Sequence, residues 1–411
     1  MRGKYIIVGS SHAALEAAAA IRLVDAEGAL AVLTRDERLP YSPTVLPYVV
    51  SGRSRPDDVV LRDAAYFRDN AIAFVPNATV ASLNPAQSAL RLASGETWHY
   101  DRLLIASGAA PALPPVAGLA DVPFHVLRTM ADAVKLRRAI AAAKSAIVLG
   151  AGLIGMHAAE NMAKAKVAVT IIELQAHALP AYFEPEAAAI IEGVFARNGV
   201  RMLMGQTLQS VARRGDGCVA TLADGTTIAA DLLLVCAGVK PNIGFLDGSG
   251  IAVDRGILVD DLMRTSVANI WAAGDVAQAR GFWGGKVVNG ILPNAVEQGR
   301  IAGLGMAADA SVKPFAGAVP LNTYSFFGRQ AISVGRTGDG LDIEQSRGDG
   351  GYRRIALEDG RLVGIATIND FVDAGIMWQL IRRRTDLSAV RSQFIADPKR
   401  TGRQLMSQLW R

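Results

Sequence analysis

Ala146-Ile-Val-Leu-Gly150-Ala-Gly152-Leu153-Ile154-Gly155 is an apolar run that enters three spaced glycines and leads into a helix-like pattern over residues 153–165. The run reads as a buried strand and residues 167–172 as a second one. Strand, turn, helix and strand in this order make a right-handed parallel crossover. Gly150 permits the tight turn, Gly152 lets a pyrophosphate approach the backbone, and Gly155 lets helix and strand pack closely. The helix end supplies amide donors and a positive dipole end. Glu173 closes the second strand roughly twenty residues further on, where an acid bonds an adenosine ribose 2′-hydroxyl. A carboxylate there repels a 2′-phosphate, and Leu174, Gln175 and Ala176 offer no arginine to bind one, so NADH is expected over NADPH.

The chain repeats itself around this unit. Residues 91–111 align without a gap with residues 221–241. Each copy holds a turn, Ser94-Gly95 or Asp224-Gly225, and then an apolar run into a second glycine, ending Ala106-Ser107-Gly108 or Cys236-Ala237-Gly238. Upstream, Tyr5-Ile-Ile-Val-Gly9, an alanine-rich helix pattern over residues 13–22 and a strand over residues 29–33 repeat the first crossover. The turn Gly9-Ser10-Ser11-His12-Ala13-Ala14 is degenerate, with serine and alanine where the second and third glycines usually stand. These are the smallest substitutes, and the two serine hydroxyls are able to donate to phosphate. Thr34 stands nearly where the acid belongs and Asp36 slightly beyond it, which leaves the ribose partner open. His12 reads more readily as a packing or capping residue than as a catalyst.

A chain of 411 residues, 51% hydrophobic and 20% charged, has apolar material for two or three domains. No apolar run approaches the roughly 18 residues of a membrane span, and the first apolar segment stops at Gly9, so a cytoplasmic protein is expected. Cys218 and Cys236 form no Cys-x-x-Cys pair, which excludes a disulfide framework and a cysteine-held iron–sulfur cluster. Any redox cofactor is therefore organic, and no metal site is expected. The net charge of +5 is too diffuse for nucleic acid. Its densest runs, Arg353-Arg354 and Arg382-Arg383-Arg384, read as a solvated helix face or as a dock for an acidic electron-transfer partner.

With three further motifs, the chain resembles the two-dinucleotide flavoprotein reductases of the pyridine nucleotide-disulfide oxidoreductase superfamily, in the branch of ferredoxin reductases, rubredoxin reductases and NADH oxidases. The motifs are Tyr100-Asp-Arg-Leu-Leu-Ile-Ala-Ser-Gly108, Thr265-Ser-Val-Ala-Asn-Ile-Trp-Ala-Ala-Gly274-Asp275 and Leu292-Pro293-Asn294-Ala-Val-Glu297-Gln-Gly-Arg-Ile-Ala302. The resemblance covers essentially the whole length. It implies an α/β protein with two Rossmann-like dinucleotide-binding domains, the NAD domain inserted in the FAD domain, plus a C-terminal α+β domain. The expected division is 1–114 and 247–313 for FAD, 115–246 for NAD(H) and 314–411 for the last domain. In that domain residues 323–327, 330–335, 352–357 and 362–368 read as strands and 371–384 as a helix. Family members set such a domain against the flavin domain, for dimerisation or acceptor docking.

The resemblance also implies contacts. Asp275, which Gly274 lets come close, bonds the FAD ribityl chain, and Leu292, Pro293, Asn294 and Glu297 lie beside the flavin ring. Arg35, Pro43, Thr44, Val80, Ala106, Ser107 and Gly108 complete the FAD set begun by Gly9 to Ala14, Thr34 and Asp36. Ala237 and Gly238 join the Gly150 turn and Glu173 in the NAD set. Glu160 matches the family glutamate that reaches the nicotinamide, a solvent-facing helical residue being the bland alternative.

Tyr41-Ser-Pro43-Thr44-Val-Leu-Pro-Tyr48-Val-Val-Ser-Gly52 resembles the segment in which disulfide and peroxide reductases of the superfamily carry a reactive cysteine, with Thr44 in its place. Threonine forms neither a sulfenic acid nor a mixed disulfide, so thiol-based chemistry is disfavoured. Ferredoxin reductases place a lysine here that pairs with the glutamate; none stands between Leu39 and Gly52, and Tyr48 near that position only hydrogen-bonds. Glu160, Thr44 and Tyr48 are the candidate catalytic residues. Without a protein redox group, the flavin must link the pyridine nucleotide to the outside. The reading is an FAD-dependent NADH:acceptor oxidoreductase that exchanges electrons with an iron–sulfur protein or subunit, as the FAD subunits of multisubunit aldehyde or 2-oxoacid oxidoreductases do. The alternatives are a stand-alone NADH oxidase reducing dioxygen and a low-turnover flavin-dependent assembly or regulatory protein. A homodimer and a hetero-oligomeric complex are both open.

Overall fold

Tyr5, Ile6, Ile7 and Val8 are all buried, as a parallel strand covered on both faces requires. In the computed structural model, which describes residues 1–338, 340–348 and 351–409, they belong to the strand Arg2–Val8. The chain forms two compact units: Met1–Val45, Ser54–Ala110 and Val239–Ala318 make the first, and Leu46–Arg53, Pro111–Gly238 and Val319–Arg411 the second.

In the first unit one sheet runs Ile72–Val75, Leu30–Leu33, Arg2–Val8, Thr97–Ile105, Ala89–Leu92, Val80–Asn84, and Ile270–Ala272 also pairs with Thr97–Ile105. The strands up to Thr97–Ile105, together with Ile270–Ala272, are parallel; the last two turn back as an antiparallel hairpin. The helix His12–Val24 buries Ala13, Ala14, Ala17, Ala18 and Ala20. It packs against the helix Leu292–Met306 with the two backbones nearly touching. A Cβ on Gly299 would stand 2.2 Å from the carbonyl oxygen of Ala13, and one on Gly303 2.4 Å from that of Ala17.

The second unit holds a parallel sheet in the order Arg201–Leu203, Ala168–Ile172, Ser145–Leu149, Leu232–Val235, with the helix Leu153–Lys164 after the third of these. Here the repeat diverges. In the first unit Thr97–Ile105 runs unbroken from hairpin to main sheet. Its counterpart breaks at Asp231, whose carboxylate accepts from the amides of Lys144 and Ser145 at 2.8 and 2.9 Å, so Thr227–Ala230 joins a separate three-stranded sheet.

Residues 319–411 contribute a five-stranded antiparallel sheet, Leu321–Phe326, Arg329–Gly335, Arg361–Ile368, Gly351–Glu358, Asp342–Gly348, and the helices Ala374–Arg382, Arg391–Ala396 and Pro398–Leu409. Asp342–Gly348 and the last two helices are absent from the sequence reading; the strand is largely exposed and shows no alternation to read. The helix expected over 371–384 starts only at Ala374, because the Asp373 carboxylate accepts from the Ile376 amide at 3.1 Å and caps it. Within this unit the C-terminal sheet is tied to the part that carries the Gly150 turn. Ser333 Oγ donates to the carbonyl of Tyr182 at 2.7 Å, the Tyr352 hydroxyl donates to Glu184, and the Phe327 amide donates to Glu160. Among the described residues no helix is long and apolar enough to cross a membrane.

Candidate functional site

In the first unit Gly9 has φ +116°, and a Cβ there would stand 2.1 Å from the Ala106 carbonyl oxygen. The turn therefore holds Gly9 for both backbone conformation and close approach. Ser11 is extended, with φ −92°, so no glycine is demanded at the second position, and its side chain makes no bond to the helix amides. Ser10 Oγ donates to Thr34 Oγ1 at 3.0 Å, which brings the end of Leu30–Leu33 onto the turn. Asp36 is held elsewhere: its carboxylate accepts from the Tyr41 hydroxyl at 2.7 Å and the Arg38 amide at 3.0 Å. Thr34, not Asp36, is thus the strand-end residue joined to the turn.

Gly274 lies across from this turn, at φ +79°, with a Cβ position 3.2 Å from the Ala13 methyl, and its amide donates to Gln298 on the helix Leu292–Met306 at 2.9 Å. Gly290 leaves room for Asp275, whose Oδ1 would lie 3.2 Å from a Cβ there. The structure brings Gly9 to Ala14, Thr34, Gly274 and Asp275 together. Ser107 and Asn242 exchange side-chain to carbonyl bonds at 2.8 and 2.9 Å, which fixes the corner at Gly108. Pro43 and Thr44 form a short 3-10 turn with Thr44 exposed, while Leu292 is exposed and Pro293 and Glu297 half-buried at the start of their helix. The environments of three further residues differ. Arg35 is exposed, Val80 packs on the core, and Asn294 is 1% exposed, with its amide turned into the interior.

In the second unit Gly150, at φ +107°, has a Cβ position 2.4 Å from the Cys236 carbonyl oxygen, and Gly155 has one 2.1 Å from that of Gly150. Nothing lies within 4 Å of the Cβ position of Gly152. Two glycines are thus fixed by packing and the middle one opens onto free space, the arrangement a pyrophosphate needs. Glu173 reaches the same turn: its carboxylate accepts from the Ala151 amide at 2.6 Å and the Gln175 amide at 2.8 Å. Leu153 is half-buried, and Ile154, Ala237 and Gly238 are exposed around the turn. Glu160 is buried one face further along the helix. It accepts from Lys164 Nζ at 2.6 Å and the Phe327 amide at 2.7 Å. Tyr48 stands on the helix Leu46–Ser51, exposed beneath the Arg53 guanidinium at 4.9 Å, and Asn161 Nδ2 donates to Pro47 next to it at 2.9 Å. The lysine missing before Gly52 thus has a stand-in on the Glu160 helix itself. Its i,i+4 spacing was the one signal in the sequence that pointed to Lys164.

Whether these turns suit dinucleotides is tested by helix ends. The helices Ala64–Asp69, Met130–Ala142, Pro185–Arg197 and Ala374–Arg382 are capped by the side chains of Asp63, Thr129, Glu184 and Asp373. The helices His12–Val24, Leu153–Lys164 and Leu292–Met306 have neither a side-chain cap nor an acid in the first turn. Their leading amides have no side-chain acceptor, as in the short helix Arg391–Ala396, and phosphate or flavin oxygens fit there. No thiol competes: both cysteines are free, and burial pushes the Cys236 thiol up to about 12. The arginine runs find partners inside the unit. Arg353 pairs with Asp370 at 3.1 Å, Arg354 bonds Thr337 and Gln345, and Arg382 lies over the Trp378 ring.

Known proteins resemble this chain over most of its length. Residues 3–299 match the family described as pyridine nucleotide-disulphide oxidoreductase. The chain is 52% identical to the NADH-dependent phenylglyoxylate dehydrogenase subunit epsilon of Aromatoleum evansii, over 99% of this chain and 98% of that one. It is 28% identical to rubredoxin-NAD(+) reductase of Pseudomonas putida, over 75% of this chain and 81% of that protein. Among solved structures it is similar to putidaredoxin reductase in its covalent complex with putidaredoxin, with TM-score 0.86, 26% identity and 97% and 99% of the two chains covered. A ferredoxin reductase from Rhodopseudomonas palustris gives TM-score 0.82 at 27% identity, over 89% and 91%. The chain belongs to the pyridine nucleotide-disulphide oxidoreductase family and is an NADH-dependent flavoprotein oxidoreductase with FAD and NAD(H) as its cofactors.

Proposed function

We propose that the chain is the NADH:acceptor subunit of a multisubunit dehydrogenase of the 2-oxoacid or aldehyde-oxidising kind, in the cytoplasm, and that its electron partner is an iron–sulfur subunit or protein. The first unit holds FAD through Gly9 to Ala14, Thr34, Gly274 and Asp275. The second holds NAD(H) through Gly150 to Gly155 and Glu173. Bound there, FAD takes or gives a hydride at the nicotinamide and exchanges electrons singly with clusters. The chain's own part is to bind and orient. Uncapped helix ends meet the phosphates, Glu173 accepts from the adenosine ribose and turns away a 2′-phosphate, and Lys164 with the Phe327 amide holds the Glu160 carboxylate in place.

The observation that carries this reading is the side chain at position 44. A threonine hydroxyl stands where thiol-dependent relatives keep their reactive sulfur, and the thiol beside the second turn, Cys236, is held protonated by burial. With no thiol to store electrons, the acceptor must take them from the flavin itself. Anaerobic stopped-flow tests it: the protein is bleached with NADH, then mixed separately with air and with an oxidised ferredoxin of matched potential. Fast reoxidation by ferredoxin and slow reoxidation by air are expected. Fast reoxidation by air with none by ferredoxin would make the protein a stand-alone NADH oxidase.

A further inference from the structure

The strands Leu321–Phe326 and Arg329–Gly335 are joined by Phe327 and Gly328 alone, with Phe326 paired to Arg329. Both linking residues have positive φ, +44° and +77°, as the tightest hairpin turn requires. That turn favours Asn-Gly, and a large side chain seldom adopts the left-handed conformation. The turn therefore does not account for a phenylalanine; what the ring touches does. It meets the buried Phe195 ring edge-on, with centroids 5.0 Å apart, and the Lys164 ammonium lies 5.7 Å from its centre. Lys164 Nζ and the Phe327 amide are in turn the two donors to Glu160. Both bonds end on the same oxygen, Oε1, at 2.6 and 2.7 Å, so Oε2 accepts from neither. The hairpin that carries Phe327 is firmly seated. Its buried Tyr324 meets His157, on the Glu160 helix, edge-on at 4.7 Å and stacks on Phe326 at 5.1 Å.

We propose that Phe327 is a positioning residue of the NAD(H) site, whose amide and ring together station the two donors on Glu160 and so aim the second carboxylate oxygen at the nicotinamide. The inference rests on the reading that this unit holds NAD(H), with Glu160 at the nicotinamide end. Its physical worth is electrostatic. The dihydronicotinamide ring is neutral and becomes positive as the hydride leaves, so a carboxylate oxygen fixed beside it favours the transfer. Stabilisation of this kind depends on the charge being in place before the reaction. A carboxylate with one oxygen held by two donors is in place; one that is free to turn is not. Phe327 acts through Glu160 and touches no reacting atom. The C-terminal sheet thereby completes a site whose other residues end at Gly238.

The test uses the full chain, bleached with NADH without air in a stopped-flow instrument, so that the limiting rate and the NADH concentration giving half of it are read separately. Phe327→Asn suits the turn and keeps the amide while removing the ring. It is expected to lower the limiting rate about tenfold or more, as misplacing a group at a reacting centre does. The half-saturating concentration should change little, because Glu173 and the Gly150 turn still hold the other end of the nucleotide. Lys164→Met, at a side chain 58% exposed, is expected to act in the same way, and Phe327→Tyr to keep the wild-type rate. Beside Glu160→Gln, itself slow, neither Phe327→Asn nor Lys164→Met should slow bleaching further, because the group they act through is gone. A wild-type limiting rate in Phe327→Asn, or a loss that persists in full beside Glu160→Gln, overturns the inference. Bleaching of Glu160→Gln at the wild-type rate overturns the underlying placement of Glu160 instead, and the positioning role with it.

Discussion

The two dinucleotide turns are copies of one design that meet the same demands by different means. At the second turn the small residues stand in the turn itself: Gly155 packs on the Gly150 carbonyl, and Glu173 reaches back to the Ala151 amide. At the first turn the third position is Ala14, the strand-end partner is the neutral Thr34, and the close packing has moved to a neighbouring helix, where Gly299 and Gly303 meet the backbone of the His12 helix. A family pattern read only for its glycines therefore underrates the first turn. What persists in both is the first glycine, at φ +116° and +107°, and an uncapped helix end.

The largest effects are expected where the copies agree. Gly9→Ala forces a side chain into the left-handed region, at about 1–3 kcal/mol, and against the Ala106 carbonyl. The protein is expected to purify colourless while still binding NADH by calorimetry. Gly150→Ala meets the Cys236 carbonyl in the same way. That variant is expected to stay yellow and no longer bleach with NADH. If the phenotypes were exchanged, the assignment of FAD to the first turn and NAD(H) to the second would be wrong.

Next comes the residue in which the copies differ most. A hydrogen bond from a ribose hydroxyl to a carboxylate contributes about 1.5–3 kcal/mol. Glu173→Ala should therefore raise KM for NADH roughly 10- to 100-fold at nearly constant kcat, and narrow the preference over NADPH. At the first turn the matching link is between two hydroxyls, so Thr34→Ala should weaken flavin binding by no more than about tenfold. Equal losses in the two variants would show that Thr34 carries a load like that of the glutamate.

Much of this was legible in the residues. The parallel strands, both turns and the crossover order follow from buried apolar runs and from glycines that the backbone cannot replace. Other parts were not. Glu160 and the Phe327 amide are separated by 167 residues, and no periodic pattern links a hairpin turn to a helix face. Asp36 looked available as a ribose acid because its partner, the Tyr41 hydroxyl, comes from a loop whose path sequence does not specify. The break at Asp231 was hidden because the aspartate aligns with Asp101, and only its bonds to Lys144 and Ser145 separate the two copies.

A moderate effect is expected where the first turn has shifted its demand for small residues. Gly299→Ala adds a methyl 2.2 Å from the Ala13 carbonyl oxygen, so the helices must part. Such overpacking costs about 1–3 kcal/mol, readable as a lower urea midpoint. Gly193→Ala, on the helix Pro185–Arg197, makes a control in which the nearest atom is the end of a flexible arginine at 3.4 Å. That variant should be neutral or slightly stabilising, as glycine to alanine is in a helix interior.

The smallest effect is one of pH, and it divides the units unequally. Burial lowers the imidazoles of His125 and His157 in the second unit and of His12 in the first. Asp132 opposes this at His125 while Lys135 adds to it, and Glu160 opposes it at His157. The unfolded chain takes up protons near the usual value of 6.5, where the folded chain still refuses them. Stability is thus complete above that pH, falls as pH drops through it, and levels off once the folded imidazoles protonate too. Thermal unfolding between pH 7.5 and 5.5 should show this decline, and His157→Gln should flatten it. His157 packs edge-on against the buried Tyr324 ring, with centroids 4.7 Å apart, so its protonation places a charge where only an aromatic edge and Glu160 are at hand. A slope unchanged by the substitution would mean that Glu160 compensates the charge in full, and would move the pH response of the second unit to His125.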